Sequence, residues 1–345
     1  MATIYPYQKK LFDLLRMRHQ PYGRDWFKEY LQNCGVSKTP AYNRLRGQKP
    51  ISLDEGVSIM THYGISVNEL FHPPSSKISP ADLSQVVCEG SGTLSESFQK
   101  LLAVPGGKTY CLANDIPLLW LAHFKNLFTF RLYFWGRMYL GADEFKNNPF
   151  GKYWFCHSGF SRYMDSYKKV LDLYKQLPGV EFWSQAMFDK LFNQIDYLLG
   201  IDGVSNADAF NLVVEDIYGL IDELENTAEA GSRTIRCSGE AEPALTVFSN
   251  SVFNLNDMIL GTSDRLKFIH YTSDGPNLVS CFDSYLVNKQ MQSVTAIIPK
   301  LQLLSVFSEA NRLRFFKSLR HRVDAKVERL KKNTHLLEKE AIEWH

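Results

Sequence analysis

A chain of 345 residues, 45% hydrophobic and 13% aromatic, has the apolar content for two domains and a sizeable core, which excludes a disordered polypeptide. The net charge of +2 conceals a division: residues 1–72 carry ten Lys and Arg against six Asp and Glu, residues 73–310 carry 19 against 26, and residues 311–345 carry ten against five. Six cysteines, at 34, 88, 111, 156, 237 and 281, include no C-x-x-C pair, so neither a zinc ribbon nor a disulfide framework is expected and the thiols should be reduced.

Tyr7 to His19 reads as a first helix, with Leu11, Leu14, Leu15 and Arg18 in helical rhythm. The opening MATIYPYQKKLFDLL lacks an apolar signal core, which points to the cytoplasm. Pro21 and Gly23 end the helix, and a second follows over Asp25–Asn33 with Phe27, Tyr30 and Leu31 inward. Gly35 supplies the sharp turn after it. The next stretch, VSKTPAYNRLRGQKP from Val36 to Pro50, holds four basic residues and no acidic one. Either Ser37 or Thr39 caps its short helix: Pro40 suits the first helical position if Thr39 caps, and falls within the first turn if Ser37 does. Ala41 and Leu45, four apart, face inward, which directs Lys38, Thr39, Tyr42, Asn43 and Arg46 outward. Gly47 stops the helix, Pro50 keeps the exit extended, and Ser52 with Glu55 forms a capping box for a helix to Tyr63 that buries Leu53, Val57 and Met60. Ser66 caps a last turn, VNELF, in which Leu70 and Phe71 close a small all-α core.

The succession GVS, a short helix ending in Arg-Gly, KPISLDE, an amphipathic run to HYGIS, and VNELF resembles the lambda-repressor-like (XRE-type) helix-turn-helix, and more closely its BetR-type variant in bacterial regulators. The resemblance covers roughly residues 7–72. It departs from the family at Leu31, where alanine is usual between the helices, and at Ala41, where a larger β-branched residue is usual. It implies double-stranded DNA as a partner, with the Lys38–Arg46 helix in the major groove. Asn43 and Arg46 are then the candidates for base contact, since an amide can pair with adenine and a guanidinium with guanine. Lys38, Thr39, Tyr42, Arg44 and Lys49 would hold the backbone, unless Arg44 leans across the helix interface instead.

Residues 73–98, rich in Pro, Ser and Gly around Pro73–Pro80, read as a linker with a short helix after it. Beyond it, Lys108–Ala113 reads as a buried strand, with a turn at Asn114, Asp115 and Pro117. The aromatics of Leu118–Leu140, among them Trp120, Phe128, Phe134, Trp135 and Tyr139, suit a packed core helix better than a ligand pocket. His123, Lys125, Asn126, Arg131 and Arg137 interrupt this most apolar region, so no membrane span is expected. Amphipathic helices follow over Tyr163–Gln176, Trp183–Leu199 and Ala207–Glu225; the carboxylates Glu215, Asp216, Asp222, Glu223 and Glu225 on the last read as a solvated side. Then come β-rich pieces, LTVF, MILG, LKFIHY and LVSC, separated by Asn, Asp, Gly and Ser turns and read as hairpins of an antiparallel sheet, with a helix near Phe282–Met291. Residues 99–310 are thus an α+β domain, helices first and sheet later. Its ANDIPL, FRLYFW and SEANRLRFF segments are similar to the carboxy-terminal part of a group of Bacteroidota helix-turn-helix regulators, a likeness that brings no ligand with it.

Ser308 should cap a long terminal helix, whose stripe of Leu313, Phe316, Leu319, Val323, Val327 and Leu330 packs on its own domain or on a twin helix; residues 311–345 are read as a basic helix that pairs two copies. No nucleophile elbow, H-E-x-x-H or Walker loop is present, and Gly106-Gly107-Lys108-Thr109 lacks the earlier glycine of a phosphate loop. The expectation is a multidomain chain: an all-α helix-turn-helix domain, a larger α+β domain and a long final helix. It would be a homodimeric, cytoplasmic transcriptional regulator, not an enzyme, with no cofactor, no metal and no membrane contact, and with room for a small-molecule effector. The alternative is a protein-interaction component of a toxin-antitoxin or phage-defence system.

Overall fold

The computed structural model describes residues 5–19, 37–65, 83–140, 143–202, 207–233, 244–253, 257–273 and 277–343. The chain divides into two compact units, Met1–Ser79 and Pro80–His345, a boundary that falls at the Pro/Ser-rich stretch.

The first unit contains helices α1 (Pro6–His19), α2 (Lys38–Leu45) and α3 (Leu53–Tyr63). Leu11, Phe12, Leu14 and Leu15 of α1, Ala41 of α2 and Ile59 of α3 form its core with Ile65. The Ser52–Glu55 capping box is present at the start of α3, and Gly64 closes the helix in the left-handed region at φ 60°. The expected inward face of α3 needs correction. Leu53 and Val57 are 82% and 49% exposed, and the buried stripe runs instead through Gly56, Ile59, Met60 and Tyr63. Helical spacing permits both faces; the one that is inward carries Ile59, which shares the core with Leu11, Leu15 and Ala41. The helix expected over Asp25–Asn33, with Leu31, and the VNELF turn lie outside the described residues.

The second unit mixes helices with a seven-stranded sheet. Its elements are α4 (Leu83–Leu102), β1 (Lys108–Ala113), α5 (Lys125–Met138), α6 (Asp143–Asn147), α7 (Ser158–Lys175), β2 (Gly179–Trp183), α8 (Asp189–Asp202) and α9 (Ala207–Ala230). There follow β3 (Leu245–Ser249), β4 (Met258–Thr262), β5 (Lys267–Ser273), β6 (Asn277–Cys281), α10 (Ser284–Ile297), β7 (Gln302–Leu303) and α11 (Glu309–Glu343). Strand order is β6-β5-β4-β1-β2-β3-β7. β1, β2 and β3 are parallel, joined by helical crossovers, while β4, β5 and β6 form an antiparallel meander beside β1. The order "helices first, sheet later" is therefore corrected: two strands interleave with the helices, β1 is the middle strand, and LTVF, expected in an antiparallel hairpin, is β3 and pairs parallel with β2.

Alternation along the strands builds three layers. Val180 and Phe182 of β2, with Leu112, Leu260 and Ile269, meet Val287 and Val294 of α10 on one face. Cys111, Trp183, Val247 and Ile259 meet the large helical layer on the other. The helix expected over Trp183–Leu199 is corrected at its start: Trp183 ends β2 and the helix begins at Asp189, and GVEFW, buried at every position, shows no alternation of polarity that would mark it as a strand. The stretch 83–98, assigned to the linker, is corrected as well: it belongs to α4, whose Leu94, Phe98 and Leu101 are fully buried in the main core.

Charges hold this layer together where an exposed face was expected. Phe124 precedes α5 and has no capping side chain, so Asp216 of α9 caps it from across the core, accepting from the N–H groups of Asn126 at 2.6 Å and Leu127 at 2.9 Å. Glu223 meets His123 at 2.8 Å, and Arg320 of α11 joins Asp222 at 2.7 Å and Glu225 at 2.6 Å. The reading of these carboxylates as a solvated side is thus corrected for Asp216, Glu223 and Glu225, while Glu215 and Asp222 remain exposed as expected. The use of the terminal stripe is corrected too: Phe316, Leu319, Val323, Val327 and Leu330 are buried in their own unit, while Leu313 is 55% exposed. Arg322 and Arg329 of α11 pair with Asp189 and Asp196 of α8.

At the centre of the sheet lies a salt bridge that the sequence did not announce. Glu181 of β2, fully buried, accepts from Trp120 Nε1 at 3.2 Å, Trp183 Nε1 at 2.8 Å, Tyr174 Oη at 2.9 Å and Arg233 Nε at 2.7 Å. Arg233 also donates to the Leu177 carbonyl at 2.7 Å and lies 3.8 Å from the Tyr174 ring centroid. Every Glu181 lone-pair direction is used, the condition under which a buried ion pair is tolerated. No helix among the described residues is long and apolar enough to cross a membrane.

Candidate nucleic-acid interface

The basic stretch forms α2, and the choice of cap is decided: Ser37 has the extended backbone of an N-cap (φ −67°, ψ 159°), with Lys38 the first helical residue. Thr39 and Pro40 therefore lie inside the first turn, where an amide has no intrahelical acceptor and the missing proline N–H costs nothing. The Ser37 side chain makes no capping bond. Ala41 is fully buried and Leu45 partly so, as their spacing implied.

The carboxyl end of α2 is closed by glycine geometry. Gly47 sits at φ 70°, which brings the Gln48 and Lys49 N–H groups back to the Asn43 carbonyl at 2.8 and 3.3 Å. A residue absent from the sequence reading then fastens the exit. Gln8 of α1, 6% exposed, donates through Nε2 to the carbonyls of Arg44 at 2.6 Å and Lys49 at 2.9 Å and accepts at Oε1 from Ile51 N–H at 2.9 Å. Its signal was present as a polar residue on the same face as Leu11, Phe12 and Leu15, where a satisfied buried amide is the physical requirement.

Of the seven residues assigned to DNA, Lys38, Thr39, Tyr42, Arg46 and Lys49 are exposed and Asn43 is half-buried. Arg44 has turned away: its Nη2 lies 2.9 Å from Glu55 Oε1, and the same carboxylate receives the Ser52 N–H at 3.0 Å. Of the two roles open to Arg44, the geometry matches the strut between α2 and α3. Positions 38, 42 and 46 stand at four-residue intervals on one face, with Thr39 beside them and Lys49 beyond the Gly47 turn. Such a face offers ammonium, guanidinium and hydroxyl donors to phosphate oxygens and base edges. No family model, no curated protein and no solved structure matches this chain.

Proposed function

We propose that the chain is a sequence-specific DNA-binding transcriptional regulator, with α2 as the helix that enters the major groove and the second unit as the part that senses or assembles. One observation carries the reading. α2 buries only a narrow Ala41–Leu45 edge, is clamped at its carboxyl end by Gln8 and by Arg44–Glu55, and directs Lys38, Thr39, Tyr42 and Arg46 to solvent. A rigidly held helix with one donor-rich face suits groove reading better than a solvated helix does, because a side chain reads a base edge only when its own backbone is fixed. In this reading Arg46 and Asn43 contact bases, Lys38, Thr39, Tyr42 and Lys49 fix register on the phosphates, and Arg44 supports the helix from behind. A homodimer on a two-fold site is part of the proposal; its contact lies elsewhere than the α11 stripe, which is occupied within the chain.

The test is genome-wide immunoprecipitation of the tagged protein beside an Arg46→Ala control. Discrete peaks sharing a roughly two-fold motif, lost in the control, are the expected result. A flat profile in both would instead favour a protein-interaction component of a toxin-antitoxin or phage-defence system.

A further inference from the structure

The second unit contains a cavity of about 250 Å³ at the carboxyl end of β1, where the chain leaves Ala113 for the loop to Leu121 and where β4 begins beside it. This is the place in the sheet where β1 has a parallel neighbour on one side and an antiparallel one on the other, and crevices outside the carboxyl ends of parallel strands at such a switch are where α/β folds hold ligands. Its volume lies below the roughly 300–1,000 Å³ typical of sites for drug-sized molecules, so the occupant is smaller.

The polar groups of this cavity close into a ring. Arg131 Nη2 meets Asp115 Oδ1 at 2.5 Å; the Asp115 N–H donates to Asp257 Oδ1 at 3.1 Å; Asp257 Oδ2 lies 3.9 Å from Lys190 Nζ. Lys190 and Gln194 are one turn apart on α8, and Gln194 Oε1 accepts from Arg131 Nη1 at 2.8 Å. Two cations and two carboxylates thus face the space, and His270 beside them is uncharged at neutral pH because burial lowers its pKa to about 4.

Nor is the ring saturated. Arg131 is 3% exposed, yet its Nε has no hydrogen-bond partner among the described residues, an unmet donor on a buried cation of the kind that native cores rarely leave. Asp115 engages its neighbours through Oδ1, leaving Oδ2 without a hydrogen bond among the described residues. Ile116, Leu119, Trp120, Trp135 and Ile259 supply apolar wall, and Tyr139, Tyr174 and Thr272 also line the space.

We propose that this cavity binds a small zwitterion with an apolar body, of which a free α-amino acid with a hydrophobic side chain is the simplest case. The ligand carboxylate is held by the Arg131 guanidinium and Lys190, its ammonium by Asp115 and Asp257, and its side chain by the apolar walls. A singly charged ligand would unbalance the ring; a neutral apolar one would leave its polar atoms buried and unpaired. The proposal stands apart from the DNA reading, since it concerns the second unit alone.

Isothermal titration calorimetry and thermal shift on the full chain, without DNA, test it. The probes are leucine, methionine, phenylalanine and tryptophan, with 3-methylbutylamine and 4-methylpentanoate as leucine lacking one charge each. Saturable binding by at least one amino acid is expected, with no binding by the amine or the acid at the same concentration. Arg131→Met removes the central cation but risks the fold. Lys190→Met, at a side chain 62% exposed, is therefore the variant expected to weaken binding about tenfold or more while the melting temperature of the unliganded chain holds; Asp115→Asn is expected to weaken binding alike but to lower that melting temperature, because the buried Arg131 loses its carboxylate. Absence of binding by all four amino acids, equal binding by amine or acid, or unchanged affinity in both variants would overturn the proposal.

Discussion

The two units solve the same problem, how to hold charged side chains in place, in opposite ways. In the first, the cations that matter for the proposed function stand on the surface of α2, and a few neighbouring groups, Gln8 and the Arg44–Glu55 pair, hold the helix that carries them. In the second, charge has moved inside at two places: Glu181 and Arg233 are sealed beneath the sheet and Asp216 caps a helix across the core, while the arginine–carboxylate pairs that join α11 to α8 and α9 stay at the surface. Surface charge is interchangeable within limits because water screens it; buried charge is specific because each partner lost leaves the other exposed to a low dielectric.

That contrast breaks most visibly at the salt bridge. Arg233→Met leaves the Glu181 carboxylate buried without its cation and should cost about 3–5 kcal/mol, measured by denaturant unfolding. Replacing both residues by apolar ones should not restore stability, since Trp120, Trp183 and Tyr174 would each lose an acceptor; recovery in the double variant would show that the aromatic donors contribute little.

The next effect is a pH dependence carried by the same unit. His270 is buried between Ser280 and Ser97, at 2.8 and 3.0 Å, and its pKa falls to about 4 from the model-peptide 6.5. Because the folded value is depressed, the unfolded chain binds the proton first as pH falls, so stability is full above about 6.5 and is lost progressively toward about 4, by roughly 3 kcal/mol in all. Denaturation of wild type and His270→Gln across that range measures it, and an unchanged pH slope in the variant would remove His270 as its source.

In the first unit the expected losses are smaller. Gln8→Ala strands the Arg44 and Lys49 carbonyls and the Ile51 N–H, for about 1–3 kcal/mol, and should weaken DNA binding although Gln8 is buried away from solvent. A loss as large as that at Arg233 would erase the distinction between the units. On the binding side, Asn43→Ala or Arg46→Ala should cost about 1–3 kcal/mol on the specific site and relax sequence preference. Smallest is Lys49→Ala, expected to weaken all sequences alike and flatten the salt slope, seen by comparing titrations at two ionic strengths. Equal losses on specific and random DNA for every variant would reject the division of roles.

Local chemistry was legible from residue order alone. The Ser52–Glu55 capping box, the stop at Gly47, the inward Ala41 and Leu45, the strand at Lys108–Ala113 and the late hairpins were all readable, because each depends on neighbours within about one helical turn or one strand. What remained hidden was decided by partners far away in sequence. β2 shows no polarity alternation because both its faces are covered, α3 could present either of two stripes, and the fates of Gln8 and Arg44 depended on which backbone or carboxylate came within reach. The acidic face of α9 and the basic α11 each read as solvated or as a docking surface, since neither sequence reveals that the other folds against it. Sequence alone therefore determined composition, caps and turns. Only the tertiary structure decided which charges are inside, because burial is a property of pairs that the chain brings together from opposite ends.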